Sequence, residues 1–73
     1  DLIIIEGWKT ENIKKIEIFR KEINKPLLAK NDKNIIAIAT SDKSISVNNT
    51  VLLDINNYKE IAMFIKNLIE QEV

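Results

Sequence analysis

Leu2, Ile3, Ile4 and Ile5 form an unbroken apolar run between Asp1 and Glu6. A run this short, bounded by polar residues, predicts a strand buried on both faces of a parallel sheet, with Glu6 and Gly7 at its point of emergence. Gly7 to Asn12 then reads as a loop. From Ile13 to Arg20 the pattern supports two readings equally. Ile16 and Ile18 alternate with Lys15, Glu17 and Phe19 as in a half-exposed strand, whereas Ile13, Ile16 and Ile23, with Thr10 as a cap, suit a helix. Pro26 breaks whatever precedes it, and its missing N–H argues against a central strand there. Asn31 and Asp32 supply turn chemistry shortly after it.

Ile35 to Ala39 is a second apolar run, ending in Thr40-Ser41-Asp42, and Val51 to Ile55 is a third, ending near Asn56-Asn57. The polar stretch from Ser41 to Thr50 separates them as a loop. Beyond Asn57 the period changes: Ile61, Ala62, Phe64, Ile65, Leu68 and Ile69 recur at three- and four-residue spacing, which predicts an amphipathic helix. Asn57 followed by Glu60 has the form of a capping box. A helix laid by its apolar face on a sheet of about four short strands gives an α/β architecture. No internal repeat or low-complexity tract interrupts residues 1–73, which read as one unit.

Composition narrows the chemistry. The 73 residues include no cysteine and no histidine, so disulfides, thiolate nucleophiles, imidazole bases and the commonest metal ligands are excluded. Eleven basic and eleven acidic side chains cancel and are interspersed. No field favours nucleic acid or an anionic membrane, and neither is an expected partner. The apolar runs fall far short of the roughly 20 residues that span a bilayer, and no signal-peptide pattern is present, so the expected location is the cytoplasm. A chain this small buries only about 60% of its unfolded surface, which makes it marginal alone. Its opening directly inside a core strand predicts a C-terminal fragment of a larger nucleotide-binding domain.

The candidate chemistry sits at strand ends. An acid such as Glu6 at the end of a buried parallel strand can hold Mg²⁺, and Gly7 lets backbone N–H groups approach a phosphate, a Walker-B-like arrangement. The bland reading is a strand that ends in an acid and a turn glycine. Lys9 can neutralise a phosphate or simply be solvated. Thr40, Ser41 and Asp42 should emerge at the same sheet edge as Glu6 if the strands are parallel. There, the Asp42 carboxylate can accept from the N1–H and exocyclic amine of guanine, a donor pair adenine lacks; otherwise the three form a turn. Arg20 and Trp8 read more simply as a strand end and a sheet-edge cover. With one glycine and no Gly-x-x-x-x-Gly-Lys-Ser/Thr, the chain has no phosphate cradle.

Four blocks in order, Asp1 to Lys9, Lys15 to Arg20, Ile35 to Asp42, and Leu52 to Asn56 ahead of the final helix, resemble molybdopterin-guanine dinucleotide biosynthesis protein B, the MobB family. The resemblance runs over nearly the whole chain, with Trp8 where the family usually carries Phe. It implies a partial P-loop NTPase-like sheet with the C-terminal helix packed on it, and it tips Lys15 to Arg20 toward a strand. It further implies GTP and Mg²⁺ as cofactors of the intact protein, a homodimer, and a molybdopterin guanylyltransferase as partner. Glu6 then serves the metal, and Gly7, Lys9, Thr40, Ser41 and Asp42 the nucleotide. The phosphate loop of that family is absent here, so the chain alone is not expected to bind GTP tightly or to be an active enzyme. An alternative is a dimerisation or docking module without nucleotide chemistry, using a sheet edge and the Phe64-Ile65-Leu68 helix face. A fragment like dethiobiotin synthetase ranks below both, because those enzymes continue Glu-Gly with further glycines.

Overall fold

The computed structural model describes residues 1–6, 13–20, 22 and 25–71, the side chain of Glu6 excepted. Its elements are β1 (Leu2–Glu6), β2 (Ile13–Ile18), a 3₁₀ turn (Leu28–Lys30), β3 (Ile35–Thr40), β4 (Val51–Asp54) and α1 (Tyr58–Gln71). The strands form one sheet in the order β1-β2-β3-β4. The segment that read equally as strand or helix is therefore a strand, and it occupies an interior position.

Strand directions split the sheet in two. β2, β3 and β4 run parallel, whereas β1 runs antiparallel to β2, with Leu2 opposite Glu17 and Glu6 opposite Ile13. This corrects the expectation that Leu2–Ile5 is a parallel strand buried on both faces. β1 is an edge strand with only one covered face: Ile5 is buried, while Leu2 and Ile4 are exposed. Direction is not encoded in an apolar run. Here it follows from the short connection between β1 and β2, too brief for the crossover that parallel neighbours need.

Two clusters hold the sheet. On one face, Ile5, Ile16, Ala37, Ala39 and Leu53 pack with Leu68 of α1, flanked by Phe64 and Ile65. On the other, Ala29, Ile35 and Ile38 pack with Phe19, Leu27, Ile45 and Val47. Ala37 and Ala39 of β3 lie in the same cluster as Leu68 of α1. Register slips between Lys15 opposite Ile35 and Ile16 opposite Ala37, leaving Ile36 as the extra residue of a β-bulge. The bulge turns Ile36 toward the same cluster as Ala37, against simple alternation.

The helix start is built as the Asn57/Glu60 spacing predicts, with one change. Asn57 Oδ1 accepts the Glu60 N–H at 3.1 Å, the capping bond. The Glu60 carboxylate reaches past the cap and accepts the Asp54 N–H at 2.9 Å, tying the end of β4 to the helix.

Candidate ligand site at the carboxyl edge of the parallel strands

Parallel strands end together, and their carboxyl edge is where open α/β sheets place ligands. In this sheet that edge carries Phe19 and Arg20 after β2, Thr40, Ser41 and Asp42 after β3, and Ile55 and Asn56 after β4. Backbone bonds extend the ladder past the strand ends, with Phe19 N–H donating to Ala39 O and Ile55 N–H to Thr40 O. Thr40 is buried, and its Oγ1 accepts the Asp42 N–H at 3.1 Å. Asp42 Oδ1 accepts both the backbone N–H and the hydroxyl of Ser44. The Thr-Ser-Asp segment is thus an ordered turn.

Two clefts open at this edge. One, of about 550 Å³, lies between the ends of β3 and β4 and is lined by Thr40, Ser41, Lys43, Asp54, Asn56 and Glu60. The other, of about 580 Å³, lies on the helix side and shares Ser41 and Asn56 with the first. The sequence offered no direct signal for Lys43, Asn56 or Glu60 as cleft residues, since only the strand order brings the loops after β3 and β4 together.

The antiparallel β1 separates the proposed site residues. Glu6 pairs with Ile13 at the start of β2, whereas Thr40 follows the Ala39 that pairs with Ile18 at its end. At about 3.3 Å per residue the two ends lie roughly 20 Å apart. The structure therefore gathers Thr40, Ser41 and Asp42 at one edge and leaves Glu6 at the other, correcting the expectation of a shared edge. Gly7, Trp8 and Lys9 lie outside the described residues. Among the described residues no three acidic side chains converge as a preformed cation cage. Asp54 and Glu60, the carboxylates of the first cleft, are engaged in capping: Asp54 Oδ1 takes the Asn56 N–H and Glu60 takes the Asp54 N–H.

The four-stranded mixed sheet and the helix that covers it define an α/β domain. Among the described residues no helix is long and apolar enough to cross a membrane. The family profile of molybdopterin guanine dinucleotide synthesis protein B, MobB, matches residues 1–41, and the chain belongs to that family. It is 43% identical over 67 residues to the molybdopterin-guanine dinucleotide biosynthesis adapter protein of Haemophilus influenzae, covering 92% of this chain and 36% of that protein. With the adapter protein of the same name from Escherichia coli it shares 36% identity over 73 residues, covering 99% of this chain and 41% of the relative. The chain thus spans about two-fifths of the length of these curated relatives. No solved structure matches it.

Proposed function

We propose that the protein is part of a cytoplasmic GTP-binding adapter of molybdenum cofactor biosynthesis, assisting the conversion of molybdopterin to molybdopterin guanine dinucleotide without itself catalysing that transfer. The observation that carries this reading is similarity to two proteins named as adapters in that synthesis, extending over nearly all of this chain. The ordered Thr40-Ser41-Asp42 turn at the carboxyl edge supports a guanine contact through the Asp42 carboxylate. Glu6, with Gly7 and Lys9, is proposed to serve Mg²⁺ and phosphate in the longer protein. Because Glu6 ends β1 at the edge of the sheet opposite to the one where Thr40 ends β3, the two roles are separately testable. The partner is a molybdopterin guanylyltransferase, and the open edge of β1, where Leu2 and Ile4 are exposed, supports self-association as a homodimer.

The test is a titration of fluorescent GTP, with and without Mg²⁺ and with ATP as competitor. It is run on this chain and on the chain extended to the length of its relatives. The extended chain is expected to bind GTP selectively. Asp42→Asn should weaken that binding about tenfold or more, the size of one charge-assisted hydrogen bond, and Glu6→Gln should remove the Mg²⁺ dependence. Absence of guanine-selective binding by either chain refutes the nucleotide reading and leaves the docking module. That alternative has less surface than its sequence pattern suggests, because Phe64, Ile65 and Leu68 face the sheet core.

A further inference from the structure

At the other end of the parallel strands, where β3 and β4 begin, a cleft of about 590 Å³ opens, and Thr40, Ser41 and Asp42 have no part in its lining. One wall is the turn that leads into β3, with Lys30, Asp32 and Lys33; the other is the loop that leads into β4, with Ser46, Asn48 and Asn49. Ala29, Ile35 and Val47 lie between them and belong to the apolar cluster on that face of the sheet. Both walls are ordered. Asp32 Oδ1 accepts the Asn34 N–H, and the Asp32 carbonyl accepts the Ile35 N–H. Opposite, the Thr50 N–H donates to the Val47 carbonyl at 3.2 Å and closes a turn over residues 47–50. Asn49, at the third position of that turn, has φ 62°, in the left-handed region that Asn enters more readily than most residues.

The groups left over along these walls are chiefly donors. Lys30 and Lys33 are exposed, and neither is in an ion pair among the described residues. Asp32, the one carboxylate in the lining, is already engaged by the Lys15 ammonium at 2.9 Å. On the second wall, the N–H groups of Ser46, Val47, Asn48 and Asn49 donate to no backbone carbonyl among the described residues. Two ammoniums and four successive N–H groups therefore face solvent with no protein acceptor, and the occupant that suits them carries oxygens and negative charge.

The spread of these donors decides between occupants. A single phosphate or carboxylate fills a small part of a cleft this size and engages one wall. An extended peptide offers backbone carbonyls in series to the N–H groups of a loop, and acidic side chains at alternate residues to a pair of lysines. Lysine suits that use, since its flexible stem and compact charge follow a carboxylate that is not held in a planar fork. We propose that this amino-edge cleft docks an extended acidic segment of a partner protein, its carboxylates at Lys30 and Lys33 and its backbone carbonyls along residues 46–49. The surface is separate from the Thr40-Ser41-Asp42 edge, so its role does not depend on nucleotide binding.

The experiment is a titration of ¹⁵N-labelled protein, followed by amide shifts, with a blocked peptide of alternating Glu and Val. It is repeated with the same peptide carrying Gln for Glu, and with inorganic phosphate. The expected result is saturable shifts at Lys30, Lys33 and residues 46–49 with the acidic peptide alone, weakening as salt is raised because exposed charges are screened. Lys30→Gln and Lys33→Gln together should weaken binding about fivefold or more, the combined effect of two exposed ion pairs. The corresponding pair of Arg substitutions should retain it, and Lys59→Gln, an exposed lysine of α1, should leave it unchanged. Equal shifts with the Gln peptide, or binding that survives the double Gln substitution, overturn the proposal. Phosphate shifting the same amides while the acidic peptide does not assigns the cleft to a small oxyanion and overturns the docking role, as does the absence of saturable shifts with every probe.

Discussion

Glu17 is the side chain whose replacement should reveal most about how this fold is held. It stands in β2 beside Lys15, where alternation places it on the face opposite Ile16, and a glutamate there would ordinarily be solvated. It is instead 3% exposed. Its Oε1 accepts the Ala29 N–H and its Oε2 accepts the Leu28 N–H, both at 2.9 Å. The carboxylate is thus the acceptor for two leading N–H groups of the 3₁₀ turn, which have no partner within so short a turn. Hydrogen bonds to a charged group contribute about 1.5–3 kcal/mol each, and a buried donor left without an acceptor costs about 1–3 kcal/mol.

Glu17→Ala removes both acceptors at once, so a destabilisation of roughly 3–5 kcal/mol is expected. A domain of this size has roughly 4–11 kcal/mol to lose, at about 0.05–0.15 kcal/mol per residue. Glu17→Gln keeps one acceptor oxygen and turns an amide NH₂ toward the second donor, and should cost about half as much. Urea unfolding followed by circular dichroism at pH 7 measures both. Hydrogen exchange at the Leu28 and Ala29 amides should accelerate ahead of the rest of the sheet. A control is Glu70→Ala, which breaks an i,i+4 pair with Lys66 at 4.0 Å whose side chains are 62% and 65% exposed. That change should stay within about 0.5 kcal/mol. A Glu17→Ala effect under about 1 kcal/mol, or equal effects for Ala and Gln, would refute the argument that the two backbone bonds fix the turn.

Two further outcomes are expected. Leu68→Ala should destabilise by about 2–4 kcal/mol, as removal of a buried leucine from a core does, because Leu68 is the buried anchor of α1 in the sheet cluster. Helical signal should fall before the sheet unfolds in thermal melts, and a loss under about 1 kcal/mol would show that the helix is held elsewhere. The Lys15 ammonium, 2.9 Å from Asp32, together with the Asn34 N–H, holds the Asp32 carboxyl below its ordinary value of 3.8. A depressed carboxylate contributes stability above its unfolded pKa and loses it as pH falls through the folded one. The gap between the native protein and Asp32→Asn should accordingly be constant above about pH 5 and close between about pH 4 and 2. A gap that widens on acidification would contradict the assigned direction.

The sequence by itself located three of the four strands and the helix, and left Ile13–Ile18, equally strand or helix by its pattern, to be decided by its interior place in the sheet. Leu2–Ile5, Ile35–Ala39 and Val51–Ile55 are apolar runs that have no stable place outside a sheet, and the 3.6-residue spacing from Ile61 to Ile69 fixes which face of α1 turns inward. Asn57 at the cap was legible for the same local reason, since its side chain answers a donor three residues away. Three further matters were decided only by the tertiary structure. The direction of β1 depends on which strand it neighbours and how short the link is, neither of which is written in four apolar residues. That direction moved Glu6 away from Thr40-Ser41-Asp42. The burial of Glu17 is the second, because its carboxylate accepts from backbone N–H groups eleven and twelve residues downstream, beyond any local pattern. The helix-side cleft that joins Arg20, Ser41 and Asn56 is the third, since these residues meet where three parallel strands end side by side. Local periodicity records how a segment meets its own surroundings, whereas a site depends on the distances between segments, which only the folded sheet sets.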